Sequence, residues 1–408
     1  PLLNDFQPES ISALVHHSES KLFFTNTEIW NKLDVESMPL LQVAVNVEDY
    51  TILYNKIGAG LDDCLANLET LFSTKFPNFS IKDVRYPTNN LDDLALINYT
   101  SGTTSDPKGV MLTYGNVSSN TTYAIETIPN CADNTIVSML PLAHMYGLAF
   151  EFLYQVAAGC HIHFLGKVPS PKVLLSSLAN IQPFMIVTVP LVVEKIFRNS
   201  VFPTIQQPFI KFLMKIPVIS CCLKNKIRKR LLDALGRKLE YLIIGGAAIN
   251  KEVEDCMKDI RMPYTVGYGM TECAPLLAYE HWKKFAKQSC GKVVDRMEIR
   301  IDSEDQEHVV GEIQVRGANV MLGYYKNPEA TAAAFTEDGW MRTGDLGIID
   351  KKGNVFIKGR SKNMILSANG QNIYPEEIED RLNVQPYVVE SVVVERDKRI
   401  VALVYPDY

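Results

Sequence analysis

At 408 residues, with 47% hydrophobic and 22% charged side chains, the chain can bury a large core in more than one lobe and reads as a globular class. Its net charge of -6 and pI near 5.8 leave no chain-wide positive field, which argues against a general nucleic-acid binder and makes any basic site local. The eight cysteines include no Cys-x-x-Cys pair, only the vicinal Cys221 and Cys222, so neither a zinc site nor a disulfide framework is indicated and a reducing cytoplasm is expected.

Residues 1–90 mix apolar segments at 11–15, 21–25 and 41–45 with polar turns, then a helical stretch at 59–72. No run of about 18 apolar residues that would cross a bilayer occurs anywhere in the chain, and the residues that open it at Pro1 do not lead one to expect a signal peptide. His16 and His17 share no spacing with cysteines or acids and read as loop residues. The first chemistry comes at Tyr99-Thr-Ser-Gly-Thr-Thr-Ser-Asp-Pro-Lys-Gly-Val110, after a strand-like run at Leu94, Leu96, Ile97 and Tyr99 and before a helical pattern at 116–128. Thr100 opens this loop. The hydroxyls of Ser101, Thr103, Thr104 and Ser105, flexible backbone at Gly102 and Gly109, and the Lys108 ammonium can converge on phosphate oxygens. It is not a Walker A loop, because Lys108 precedes Gly109 and the next residue is Val110.

From 94 to about 275 strand and helix patterns alternate, with strands expected at 135–140, 160–165, 184–189, 239–244 and 263–268. This predicts a largely parallel sheet covered by helices, with ligands at the carboxyl ends of strands. Leu142-Ala-His-Met-Tyr-Gly147, Gly245-Gly-Ala-Ala-Ile249 and Gly267-Tyr-Gly-Met-Thr-Glu272 each follow a strand there, as the phosphate loop does. His161 and His163 alternate on an apolar strand without a third ligand and read as structural. Residues 211–238 hold nine Lys or Arg against the single acid Asp233, beside the apolar Phe209, Ile210, Phe212, Leu213 and Ile216. Two readings stay open for 209–238, a solvated basic helix face and a peripheral contact with an anionic membrane. Short alternating strands at 290–358 predict a β-rich subdomain. Beyond Gly359-Arg360-Ser361-Lys362 follow a Gly370 loop, a helix opened by Pro375 and two strands.

The loop resembles the phosphate loop of the adenylate-forming superfamily, which holds acyl-CoA synthetases, peptide-synthetase adenylation domains and firefly luciferase. Matches in family order cover most of 94–382, and the run is most similar to bacterial long-chain fatty acid-CoA ligases. The resemblance implies an α/β fold in three parts: an α/β portion of a large AMP-binding domain at 1–289, its β-rich subdomain at 290–359, and a small mobile α+β C-terminal lobe from 360 to 408. It implies roles residue by residue. Thr100, Ser101, Gly102, Thr103, Thr104 and Lys108 hold phosphates. Gly246, Ala247, Tyr268 and Gly269 surround adenine, and Thr271 and Glu272 serve the triphosphate, with Glu272 on Mg²⁺. Asp345 accepts both ribose hydroxyls, Arg360 reinforces that side, His144 walls off the carboxylate site, and Lys362 is the hinge.

The implied substrates are ATP, a fatty acid and coenzyme A, with Mg²⁺ as the metal. Relatives extend before Pro1 and past Tyr408 to a second lysine that assists adenylation; Lys398 lies too early to match it, so this span is expected to bind ATP but to form adenylate poorly. Some relatives place a tryptophan near Leu148, and its absence leaves chain length open. An acyl-AMP ligase loading a carrier protein, a luciferase-like oxygenase and a catalytically silent nucleotide-binding regulator remain alternatives. Oligomeric state is not legible.

Overall fold

Strands such as Met185–Thr188 and Tyr241–Ile244 are buried throughout, so they need cover on both faces, and helices supply it. In the computed structural model these strands lie in a five-stranded parallel sheet ordered Tyr264–Val266, Tyr241–Ile244, Met185–Thr188, Thr135–Ser138, His161–Phe164. The structure describes every residue except 4–5, 85–89, 101–106, 130–131, 166–170, 367–371, 384, 386, 397–398 and 407–408. Chain order reverses between Thr135–Ser138 and Met185–Thr188, and such a reversal leaves a crevice at the carboxyl ends of the two strands. Leu178 from helix Pro171–Ile181, Leu231 from Pro217–Ala234 and Met257 from Lys251–Asp259 share one core with Ile136, Ile186, Ile244 and Tyr264 of the sheet.

The phosphate-loop region departs from its expectation. Leu94–Tyr99 is a strand, but it belongs to a separate antiparallel sheet ordered Gly323–Tyr324, Gly109–Thr113, Leu94–Tyr99. The loop therefore joins a hairpin, and the helix that follows, Tyr114–Thr127, begins only after Gly109–Thr113. Thr113 caps that helix by accepting from the Asn116 N–H at 3.0 Å. Gly109 is extended rather than free: opposite Tyr99 in the register, it has no room for a Cβ, which would sit 2.9 Å from Ile97 Cγ2.

The β-rich region is a four-stranded antiparallel sheet ordered Met297–Asp302, Gly311–Gly317, Met341–Ile349, Val355–Arg360. A further short sheet pairs Tyr268–Gly269 with Leu276–Tyr279. After the turn at 361–364 come helix Pro375–Leu382, which starts at the proline as expected, and an antiparallel pair, Val388–Arg396 with Arg399–Pro406. Helix Pro375–Leu382 packs on Val355–Arg360, and Asn363 Nδ2 donates to Glu376 Oε1 at 2.8 Å.

Contacts divide the chain into Pro1–Asn90 and Leu91–Tyr408. In the first unit, Leu22–Thr25 pairs parallel with Val43–Asn46, which pairs antiparallel with Ile52–Asn55, and Ile11 and Val15 of helix Pro8–His17 pack on Met38 and Leu41. The expected helix at 59–72 is two helices, Ala59–Ala66 and Leu68–Lys75, divided at Asn67.

Candidate active site

Two clusters form around segment 268–272, which follows the edge strand Tyr264–Val266 of the parallel sheet and belongs to both. Tyr268 follows the strand Tyr264–Val266, is buried, and donates its hydroxyl to Asp345 Oδ2 at 2.7 Å. Asp345 lies within Met341–Ile349, not in a turn, and faces Arg360 across the register, with the guanidinium Nε 3.3 Å from Oδ1. Burial pushes the Asp345 carboxyl above the usual carboxylate range, while the Tyr268 hydrogen bond and the Arg360 charge pull it back. Gly246 and Ala247 are exposed after the strand Tyr241–Ile244, with Gly246 at φ 86°, a left-handed conformation that favours glycine. Gly269 has a different reason: a Cβ there would lie 2.2 Å from the Pro275 carbonyl oxygen.

The second cluster is held by Tyr324. Its hydroxyl donates to Glu272 Oε1 at 2.9 Å, and the Lys108 ammonium sits 4.9 Å from the centre of its ring. Thr100 closes the hairpin around the loop, its N–H donating to the Lys108 carbonyl at 3.1 Å. Ser101, Gly102, Thr103 and Thr104 lie outside the described residues. Half-buried Thr271 and Glu272 occupy the short turn Thr271–Cys273, and the Met321 N–H fixes the Glu272 carbonyl at 2.9 Å. Among the described residues no three His, Cys, Asp or Glu side chains gather as a metal cage. A single carboxylate with one oxygen held by Tyr324 fits Mg²⁺, which takes one or two carboxylates and completes its shell with phosphate oxygens and water.

His144 is exposed at the start of the short helix Met145–Gly147, beside the chain reversal. Three ties hold its loop: Asn98 Nδ2 on the Ala143 carbonyl at 2.9 Å, and the Tyr146 hydroxyl on the Thr188 and Ile243 carbonyls at 3.3 and 3.2 Å. Sequence reasoning missed the residue behind it. Glu151, fully buried in the π-helical stretch Leu148–Leu153, accepts at Oε2 from the Ser138 hydroxyl and the Met139 and Leu140 N–H groups at 3.0, 3.0 and 2.9 Å. Burial lifts its carboxyl to about 7. An acid inside the apolar run Leu-Ala-Phe-Glu-Phe-Leu was the available signal, since buried carboxylates need partners. For Tyr324 the sequence offered only its place in Gly323-Tyr-Tyr325, a stretch that also resembles the family without marking a role.

The sequence-predicted residues thus fall into a Tyr268, Asp345, Arg360 group and a Lys108, Glu272 group, with His144 on a separate loop. Lys362 is exposed in the turn after Val355–Arg360, where the Ser361 N–H donates to the Gly344 carbonyl at 2.9 Å.

Residues 1–325 match the family described as AMP-binding enzyme, and the chain belongs to that family. Among curated relatives, the peroxisomal long chain acyl-CoA synthetase 6 of Arabidopsis thaliana is 28% identical over 418 residues, covering 93% of this chain and 57% of that protein. The long-chain-fatty-acid–CoA ligase FadD15 of Mycobacterium bovis is 27% identical over 425 residues, covering 97% of this chain and 66% of that protein. The chain therefore spans rather over half the length of these two relatives. The O-succinylbenzoate coenzyme A synthetase (MenE) of Bacillus subtilis, solved in complex with ATP and magnesium ion, superposes with a TM-score of 0.72 at 22% identity over 98% of this chain and 72% of its own. That likeness is one of fold, and it bears out the α/β class read from the strand and helix pattern.

Proposed function

We propose that the protein activates a fatty acid with ATP as an acyl-adenylate, releases pyrophosphate, and transfers the acyl group to coenzyme A. The observation that carries this reading is segment 268–272, which joins a buried tyrosine–aspartate pair with its exposed arginine to a glutamate–tyrosine–lysine group in a chain of the AMP-binding family. The long-chain names of the relatives support the fatty acid.

In this mechanism Tyr268 takes adenine, with Gly246, Ala247 and Gly269 around it. Each Asp345 oxygen keeps a lone pair beyond its present partner, so the carboxylate accepts both ribose hydroxyls while Arg360 neutralises it. Lys108, the hydroxyls of 100–104 and Thr271 hold the phosphates, and Glu272 holds Mg²⁺. When bound, the metal withdraws charge from the triphosphate, so that an anionic carboxylate can approach. A carboxylate oxygen attacks the α-phosphorus; the bond to the bridging oxygen breaks, and pyrophosphate leaves with the electron pair. His144 closes the carboxylate side. The C-terminal lobe, from 360, then turns at Lys362, and the coenzyme A sulfur attacks the acyl carbonyl and displaces AMP, the thiol proton passing to solvent.

No helix among the described residues is long and apolar enough to cross a membrane. Residues 209–238 instead make a peripheral contact with an anionic membrane from the cytoplasmic side. Phe209, Phe212 and Val218 are 69%, 63% and 75% exposed, too bare for a face packed within the chain, and Lys226, Lys229 and Arg230 are exposed on one face of Pro217–Ala234.

The test is CoA-dependent pyrophosphate release by the full-length protein, with acids from acetate to palmitate and hydroxylamine to trap adenylate. Release with long chains and coenzyme A is expected. Adenylate trapped without acceleration by coenzyme A would move the acceptor to a carrier protein, and no release with any acid would refute the ligase.

A further inference from the structure

Tyr324 touches both groups on which the phosphate end depends, yet the mechanism above gives it nothing to do. We propose that Tyr324 is a positioning residue that aims Glu272 at the metal through its hydroxyl and Lys108 at the phosphates through its ring. The proposal rests on the nucleotide reading of Lys108 and Glu272.

The backbone around Tyr324 is fixed from several sides. Gly323–Tyr324 pairs with the phosphate hairpin, Gly323 opposite Met111 and Tyr324 opposite Val110, and the Tyr325 N–H donates to the Gly109 carbonyl at 2.7 Å. Tyr324 therefore keeps register with the strand that Lys108 leads into. Its own N–H donates to Thr331 Oγ1 at 2.9 Å. Gly323 takes φ 144°, and a Cβ there would stand 2.6 Å from Thr331 Cγ2, so only glycine admits this entry to the strand.

Glu272 is gripped by the same short segment at two levels, its carbonyl by the Met321 N–H and its carboxylate by the Tyr324 hydroxyl. A carboxylate with one oxygen so held presents the other in a fixed direction, the usual arrangement behind a metal-ligating acid. The ring acts separately. Its face attracts the Lys108 ammonium without using any of the three N–H donors, which stay available to phosphate oxygens. Hydroxyl and ring thus serve different partners, and substitution separates them.

The experiment is calorimetric titration of the full-length protein with ATP, without metal and over a series of Mg²⁺ concentrations, for the parent, Tyr324→Phe and Tyr324→Leu, with a melting temperature for each. Tyr324→Phe is expected to leave metal-free ATP affinity unchanged and to raise the Mg²⁺ needed for tight binding by roughly 10- to 100-fold. Tyr324→Leu is expected to weaken metal-free binding as well, by roughly 2- to 30-fold. An unchanged Mg²⁺ requirement in Tyr324→Phe overturns the proposal, as do equal losses with and without metal accompanied by a lower melting temperature. If Tyr324→Leu does not fold, the phenylalanine variant decides alone. A parent protein that binds no ATP would sink the nucleotide reading and this proposal together, whereas a parent that binds it beside an unaltered Tyr324→Phe sinks only the role of Tyr324.

Discussion

Asp345 and Arg360 face one another across adjacent antiparallel strands, Nε 3.3 Å from Oδ1, while Tyr268, from a different sheet, occupies Oδ2 at 2.7 Å. A carboxylate held this way has both its oxygens oriented in advance, and under the proposed role as ribose acceptor this would lower the cost of ordering the site on binding.

Asp345→Asn is expected to weaken ATP binding by roughly 10- to 100-fold, because hydrogen bonds to a charged acceptor are worth about 1.5–3 kcal/mol. Stability should hardly change, since burial already works against the charge. Calorimetric titration with ATP checks the first expectation and thermal melting the second. Native ATP affinity in this variant would remove Asp345 from the site.

Lys108→Met keeps the aliphatic stem and removes the ammonium above the Tyr324 ring. If Lys108 stabilises charge developing on the phosphates, pyrophosphate release by the full-length protein should fall roughly 100- to 1000-fold. A change confined to the KM for ATP would instead make the lysine a ground-state anchor.

Glu151 gives the stability of the fold a pH dependence. Burial, opposed by hydrogen bonds from Leu140, Met139 and Ser138, lifts its carboxyl from 4.5 to about 7. The folded state therefore holds more protons than the unfolded chain between those values, and this contribution to stability is lost as pH rises from about 4.5 to about 7. Glu151→Gln keeps an acceptor oxygen for the three donors without the charge. It should unfold at higher urea than the parent above about pH 7, by up to ~3 kcal/mol, with the difference vanishing near pH 4.5. Parallel curves at all pH values would assign the effect to another group.

Lys226, Lys229 and Arg230 test the membrane contact. Reversing all three to glutamate should abolish sedimentation with anionic vesicles, each lost cation being worth about 1 kcal/mol at such a surface. The parent should bind less as salt rises. Equal binding to neutral and anionic vesicles would contradict a charge-directed contact.

Much of the architecture was written locally. Continuous apolar runs marked the buried strands Met185–Thr188 and Tyr241–Ile244, and Pro375 marked the start of its helix, because side-chain period and fixed proline φ act over a few residues. Glu272 and Asp345 were marked only by the family resemblance of their stretches, whereas the loop holding Lys108 was legible in the same way as those elements, as residue types at short spacing. What followed Lys108 was not: Gly109–Thr113 offers four apolar or glycine positions that a strand or a buried turn could share, and only pairing with Leu94–Tyr99 makes it a strand. Tertiary structure alone decided which side chains meet. Tyr268 reaches Asp345 across 77 residues and Tyr324 reaches Glu272 across 52. Sheet register and packing set those distances, and no local propensity encodes either.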